Sequence, residues 1–313
     1  MMARFFSLLW VVFGVLLFTF LFIHLLPGDP VMVMLGESAS SAEQSVLRLQ
    51  LGLDLPIWQQ FTHYLWRILQ GDWGQSLFSH TSVAQLLAMR WWATAQLALL
   101  ALCIGASVGL PLGVWAALGY QRWPDHLASI FSLSISAMPH FCLGPLMMLL
   151  FALKLGWLPV SGMDYPSSIV LPALTLGFGL AAILTRMTRA SLLEVLHEDF
   201  VRTARAKGLP ERQVIIRHAL RAACLPVVTI LGLQMGSLLA GAVITETVFA
   251  WDGIGRLLVE SIEKRDYPVT QACVMVIALS YVLINFLTEL LYQQVDPRLR
   301  RRFNRGAVSG GAA

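Results

Sequence analysis

Apolar residues in this chain gather into six long runs separated by shorter polar stretches. The runs cover residues 5–26, 93–118, 127–153, 169–184, 225–248 and 272–292. A lipid hydrocarbon core about 30 Å thick needs roughly 20 helical residues to cross. Backbone polar groups in lipid must be satisfied within the crossing segment, so each run predicts a helix. The fourth run is short, and reaches the required length only if residues 185–187 or those before Pro172 extend it. The pattern predicts an all-α membrane protein with six transmembrane helices.

Two polar stretches carry patterns of their own. Residues 27–92 separate the first two runs. Within them the segment from Gly52 to Pro56 marks a turn, and Ile57, Phe61, Leu65 and Ile68 then recur at helical spacing, with Gly71 as a stop. Trp58, Tyr64 and Trp66 suit a helix at the membrane–water boundary. Such a helix either seals the external face or receives an extracytoplasmic partner. The second stretch, residues 198–226, is basic between apolar flanks. Glu198 and Asp199 supply first-turn acids, Arg205 and Lys207 last-turn bases, Gly208 the position past the helix end, and Pro210 a block to continuation. Pro210 and Glu211 then open a second short helix running towards Ala223.

Composition agrees with the membrane assignment. Apolar residues make up 57% of the 313 residues and charged residues only 13%, against about 25% charged in soluble domains. With six spans both termini share one side. That side, which includes residues 185–225 and the basic tail, holds 15 of the 22 Lys and Arg residues, and the other side 7. Both termini and the basic stretch are therefore expected in the cytoplasm. The net charge of +4 comes from that face, so no nucleic-acid partner is expected. Arg4 and the following run resemble a signal peptide only superficially. The run is too long and has no small-x-small cleavage site, so it reads as a retained first span.

The organisation expected is a first transmembrane helix (1–26), an external segment with interfacial helices (27–92), a five-helix core (93–297) containing a cytoplasmic loop (189–225), and a basic tail (298–313) with a disordered end. Pro111, Pro139, Pro145 and Pro172 interrupt spans and favour kinks. Gly232, Gly236, Ser237, Ala240 and Gly241 permit close helix packing in the fifth span. Cys103, Cys142, Cys224 and Cys273 match no metal motif or disulfide framework and read as packing residues. Intramembrane polar groups are few: Glu246 near the outer end of the fifth span, Asn285 and Glu289 in the sixth, and His140 beside Pro139. An ion-coupled carrier normally places acidic groups at midspan or pairs broken helices in two halves. Neither is evident. P-loop, nucleophile-elbow and His-Glu-x-x-His motifs are also absent, so the chain reads as no enzyme, and any energy must come from another subunit.

The segments Arg189-Ala-Ser-Leu-Leu-Glu-Val-Leu, Asp199-Phe-Val-Arg-Thr-Ala-Arg-Ala-Lys-Gly-Leu and Arg217-His-Ala-Leu-Arg, with Leu225-Pro226, resemble the cytoplasmic loop of ABC-importer permeases of the dipeptide/oligopeptide/nickel subfamily. The likeness extends to Leu26-Pro-Gly-Asp-Pro30, Leu51-Gly-Leu-Asp-x-Pro56, Gly71-Asp-x-Gly74, Glu246-Thr-Val-Phe-x-Trp-x-Gly-Ile-Gly-Arg256, Arg265-Asp-Tyr-Pro268 and Asp296-Pro-Arg298. The long segment after the first span is similar to that of the first of the subfamily's two permease types. Two departures from the general ABC loop, Arg202-Thr203 in place of Glu-Ala and a longer reach from Gly208 to Pro226, are both subfamily features. Asp252 stands where the subfamily usually has proline.

This resemblance implies a type I ABC-importer permease fold in a bacterial inner membrane. It implies a second homologous permease, two ATP-binding subunits and an extracytoplasmic solute-binding protein as partners, with lipid around the spans. No cofactor or metal is implied in this chain; ATP and Mg²⁺ belong to the partner subunits. Asp199, Phe200, Val201, Arg202, Ala204, Arg205, Lys207 and Gly208 are the expected ATPase-coupling residues. Phe200, Val201 and Ala204 are expected to form an apolar contact, with Arg202 and Arg205 beside it. Glu246, Trp251, Gly253, Gly255, Arg256 and Asp266 are the expected external gate or binding-protein contact. Trp251, Asp252, Gly253 and Gly255 should make a tight turn, leaving Arg256 and Asp266 available for pairing. The implied cargo is a di- or oligopeptide; the alternative is nickel or a nickel chelate, for which His24, His63, His80 and His140 form no recognisable ligand set. Outside the family, an ion-coupled secondary carrier or a membrane-embedded enzyme would be the competing classes.

Overall fold

The computed structural model describes residues 2–25, 31, 42, 44–46, 48 and 54–295. Leu26-Pro-Gly-Asp-Pro30, residues 51–53 of the Leu51–Pro56 motif, Asp296-Pro-Arg298, the tail 298–313 and the side chains of His24, His140, Ala240, Gly241 and Glu289 lie outside what it describes. Regular structure among the described residues is helical; the only strand-like pairing there is an isolated bridge between Gln75 and Ser82.

Among the described residues the main helices are α1 (Met2–Leu25), α2 (Ile57–Leu69), α3 (Val83–Leu118), α4 (Trp123–Ala137), α5 (His140–Met147), α6 (Val170–Leu196), α7 (Asp199–Ala206), α8 (Leu220–Val248), α9 (Ile254–Glu263) and α10 (Tyr267–Val295). Among the described residues four helical stretches are long and apolar enough to cross a membrane: Val83–Leu118, Pro166–Leu196, Glu211–Leu239 and Tyr267–Thr288. A fifth crossing results if α4 and the segment after it form one broken span. In α1 the apolar stretch counted among described side chains is shorter, Leu9–Leu21.

Several boundaries differ from the sequence reading. The second run belongs to a helix that begins at Val83, ten residues early, because Ser82 takes the extended cap conformation that lets a helix start. The third run is not one helix. Met138 is extended (φ −91°, ψ 124°) and Pro139 follows with ψ 144°. A residue before proline is driven out of the helical region, and the chain turns before α5 starts. The helix continues beyond α5 as a wider π-helical turn, Met148–Lys154. The fourth run gains length at both ends, from a 3₁₀ turn Pro166–Ile169 and from residues reaching Leu196. Pro172 is harmless in that first turn, where no intrahelical partner is lost. The expected second short helix after Pro210 is not separate. Glu211–Gln213 and a π-helical turn Val214–Ala219 lead directly into α8, so the basic segment is an extension of a candidate span.

The centre of the molecule is the contact of α3 with α6. Gly105, Gly109 and Gly113 recur every four residues and place one bare stripe of α3 against α6. A Cβ on Gly109 would lie 2.7 Å from the carbonyl oxygen of Ala181, and one on Gly105 2.6 Å from the Leu180 side chain. In a bilayer such stripes let two backbones approach closely. The sequence reading placed close packing in the fifth span. There Gly232 and Gly236 do face α10, beside Thr288 and Tyr281, but Ser237 is exposed.

Among the described residues, most buried apolar side chains fall into three layers. The middle layer joins α3, α6 and α8 through Leu97, Ala101, Leu180, Leu184 and Val227. The outer layer joins Val83 and Leu87 to Ile254, Leu257, Val269 and Cys273. The third lies under the basic stretch at the opposite end. Helix α2 packs on α1, where Phe61 meets Phe13 and Phe20 edge-on or tilted, and the Tyr64 hydroxyl lies 3.2 Å from Thr19 Oγ1.

Candidate coupling loop and external corner

The basic stretch folds as its punctuation indicates. Glu198 is extended ahead of α7, Asp199 sits in the first turn and Arg205 in the last. Gly208 adopts φ +74°, and its N–H donates to the Arg205 carbonyl at 2.9 Å. This left-handed residue, which only glycine adopts without a Cβ penalty, closes the helix and redirects the chain.

The faces of α7 differ from expectation. Val201 is fully buried and Ala204 nearly so, sealed against Ala117 of α3, Leu192 of α6, and Val214, Ala219 and Ala223 on the way into α8. Phe200 instead is 44% exposed. The three residues therefore do not share one outward contact: two hold α7 to its own chain, and Phe200 alone of them is offered outward. The eight-residue helix, short of stability by itself, is ordered by that docking. Lys207 is exposed. Arg202 pairs loosely with Asp199 (3.6 Å), and Arg205 forks onto Glu211 with its closer contact at 2.7 Å, stapling α7 to the start of the next helix.

An ion pair that the sequence reading missed joins α6 to α4. Arg189 of α6 grips Asp125 of α4 through Nε and, at 2.8 Å, through its Nη2. The Gln121 N–H donates to the same carboxylate at 3.1 Å, and the guanidinium lies 5.5 Å from the Tyr120 ring centroid. Sixty-four positions separate the partners, and no local pattern signals the pairing.

At the other end, α3 meets the end of α8 and the start of α9. Glu246, at the end of α8, is fully buried. Its carboxylate accepts from the Thr94 hydroxyl (2.6 Å) and from the Arg256 N–H (3.1 Å). Thr94 in turn accepts from the Ile254 N–H at 2.9 Å. Gly253 and Gly255 crowd this carboxylate: a Cβ on Gly253 would collide with it, and one on Gly255 would lie 2.9 Å from Oε2 and 2.5 Å from the Val243 Cα. Gly255 belongs to the first turn of α9, not to the tight turn expected there, and its need is space. Trp251 is buried with its indole N–H on the Ala93 carbonyl at 3.1 Å.

Charges cover this corner. Asp252, the departure from the subfamily pattern, bridges Arg90 (2.9 Å) and Arg256 (3.2 Å), while Arg256 also reaches Glu260 at 2.8 Å. An ion network thus stands where a proline would have stiffened the loop. Asp266 does not pair with Arg256, as the sequence reading allowed. It accepts from the Ser76 hydroxyl and from the Leu77 N–H (3.3 Å), tying the α2–α3 connection to the α9–α10 turn. In that connection Asp72 accepts from Arg67 Nε (2.9 Å) and the Gly74 N–H (3.0 Å). The Arg67 hydrogen bond, then the Gly74 amide, hold its carboxyl below the usual carboxylate range. Among the described residues no three His, Cys, Asp or Glu side chains group to hold a metal ion.

Both ends are built from segments that match known proteins. Residues 109–301 match the family "binding-protein-dependent transport system inner membrane component", and residues 1–88 match the N-terminal family of such components. The glutathione transport system permease protein of Escherichia coli strain K12 is 43% identical over 297 residues, covering 95% of this chain and 97% of that protein. Its counterpart in Pectobacterium atrosepticum is 45% identical over 286 residues, covering 91% and 94%. In fold, the chain is similar to the MetNI methionine ABC transporter in inward-facing conformations, with a TM-score of 0.58 at 18% identity, covering 68% of this chain and 97% of that one. An amino acid ABC transporter crystallised with histidines gives 0.56 at 16% identity, covering 67% and 94%. The chain belongs to the binding-protein-dependent transport system inner membrane components, as a non-enzymatic ABC-importer permease of the dipeptide/oligopeptide/nickel subfamily in the inner membrane.

Proposed function

We propose that this permease carries small peptides, and that it does so with a second homologous permease, two ATP-binding subunits and an extracytoplasmic solute-binding protein. Its relatives of 43% and 45% identity are named for glutathione, itself a short peptide, which supports peptide-type cargo. Six spans with both termini in the cytoplasm complete the topology, as the 15-to-7 distribution of basic residues favours. ATP and Mg²⁺ are held by the partner subunits.

The observation that carries the mechanism is the seating of α7. Val201 and Ala204 are sunk among the cytoplasmic ends of α3, α6 and α8, while Phe200, Arg202 and Lys207 face outward. An ATPase that grips the outward face and moves displaces the helix as a rigid peg. Because packed interiors yield little, the displacement passes into the three spans as tilt and switches the open end. The external corner around Glu246 holds the other ends of α3 and α8 together, so that tilt reaches the side where cargo is delivered.

Uptake tests this reading. Sealed vesicles containing the permease with its ATPases and binding protein should accumulate a labelled di- or tripeptide only when ATP is supplied. Accumulation driven by a proton or sodium gradient without ATP would overturn it.

A further inference from the structure

Where the basic segment runs into α8, Arg212, Arg217 and Arg221 line one recess of about 790 Å³ together with Gln213 and Ile216. The π-helical turn aligns them. Its hydrogen bonds reach back five residues, as from the Leu220 N–H to the Ile215 carbonyl, so Arg212 and Arg217, five apart, fall on one stripe. Arg221 follows four residues on, one α-helical turn further.

These three arginines lack a counter-charge. All are exposed, and among the described residues none is paired with a carboxylate, whereas Arg67, Arg90, Arg189, Arg202, Arg205 and Arg256 all are. Glu211, the nearest acid in sequence, is taken by Arg205 at 2.7 Å. The tail 298–313 holds five arginines and no acid, so it supplies none either.

Depth indicates what does. Residues 222–245 carry no charge and separate Arg221 from Glu246. At 1.5 Å per residue they span about 36 Å, more than a hydrocarbon core of about 30 Å and less than the roughly 40–45 Å that includes the headgroups. Centred on the core, this stretch places Arg221 in the headgroup layer, with Arg217 one turn further out. Neighbouring helices mark the same depth. Ala117 of α3 shares a buried layer with Ala219 and Ala223. Around it Trp115, Tyr120 and Trp123 are exposed, with Trp115 edge-on to Trp123 at 4.9 Å. Exposed Trp and Tyr gather at the membrane–water boundary. Ile216, 55% exposed among the arginines, adds an apolar surface that suits the glycerol region of a lipid and not a free anion.

We propose that Arg212, Arg217 and Arg221 hold the phosphate of an anionic phospholipid headgroup, with Ile216 against its glycerol backbone. Guanidinium forks match phosphate oxygens in geometry and charge, and basic pockets beside membrane helices take such headgroups. Arg205 staples α7 to Glu211, next to Arg212, so the bound lipid anchors the base on which α7 moves. The site requires only a membrane permease, whatever its cargo.

The complete transporter, with its partner subunits, is placed in nanodiscs of phosphatidylcholine with increasing shares of phosphatidylglycerol. Native mass spectrometry then counts the phosphatidylglycerol retained. Arg217→Gln and Arg221→Gln should each raise the half-saturating share about fivefold, the scale of one basic residue near an anionic surface, and Arg217→Lys should keep most of the binding. In phosphatidylcholine alone these variants should insert, unfold at the parent's midpoint and retain the ATPases; Arg212→Gln replaces any that does not insert. Retention of phosphatidylglycerol unchanged in the Arg217→Gln, Arg221→Gln double variant overturns the site. So does loss of the ATPases from that variant in phosphatidylcholine alone, which assigns the recess to a protein partner. Displacement of the lipid by millimolar inorganic phosphate overturns the choice of lipid and makes the recess a site for free phosphate.

Discussion

The Thr94 hydroxyl donates a 2.6 Å hydrogen bond to the fully buried carboxylate of Glu246, joining the outer part of α3 to the end of α8 across 152 positions of sequence. Thr94 also accepts the Ile254 N–H, so one hydroxyl ties the α8–α9 turn to the Glu246 carboxyl group. Thr94→Val keeps the shape and removes both bonds. It is expected to lower stability by about 1–3 kcal/mol, the cost of leaving a buried polar group unsatisfied. Thermal unfolding in detergent checks this; an unchanged midpoint would show that water replaces the hydroxyl.

The two faces of α7 separate docking from integrity. Phe200→Asp should reduce co-purification of the ATPases while the permease inserts and unfolds normally, because Phe200 is exposed. Val201→Asp should destabilise the permease itself by burying a charge in the layer of Leu192 and Val214. Equal effects of both on permease stability, with ATPase binding intact, would show that coupling runs elsewhere.

At Gly208 a Cβ would meet nothing within 4 Å, so the site has room, but φ is +74°. Gly208→Val therefore tests backbone strain alone, on the order of 1 kcal/mol or more. Reduced ATP-dependent uptake with normal insertion is expected, and Gly208→Asn should recover part of it, since asparagine tolerates the left-handed region better.

Arg189 and Asp125 brace α6 against α4 beside the same layer. Arg189→Gln leaves a carboxylate with only 6% exposed side-chain surface and no ion partner. Because Arg189 itself is 30% exposed, the loss should fall near the lower side of the buried-pair range, about 2 kcal/mol. Proteolysis of the α3–α4 turn around Gln121 should accelerate; resistance equal to the parent protein would reduce the pair to a surface contact.

Asp72 should give the α2–α3 connection an acid limit. Its folded-state pKa is lowered, by the Arg67 hydrogen bond above all. Its contribution is therefore present above the unfolded carboxyl value, about 3.9, and is lost as pH falls through the lower folded value. The stability difference between the parent and Asp72→Asn should persist at neutral pH and shrink in acid. A difference that grows on acidification would contradict this arrangement.

Local physics alone determined much of the protein. Runs of apolar residues required helices because lipid offers backbone groups no partner. The acids, bases, Gly208 and Pro210 bounded α7 because end groups and left-handed geometry act over a few residues. The motifs resembling a permease subfamily were likewise legible, since each is contiguous. What α7 buries was not legible: Phe200 and Ala204 share a helical spacing, yet the ends of α3, α6 and α8 decide which of them is covered. The break at Met138–Pro139 and the early start at Val83 depend on where hydrogen bonding becomes impossible, not on apolarity. The close contact at Gly109, the Arg189–Asp125 pair, the Thr94–Glu246 bond and the Ser76–Asp266 bond all join residues more than sixty positions apart. Only packing brings such groups within a few ångströms, and only there does the short range of hydrogen bonds and steric repulsion select one partner among many.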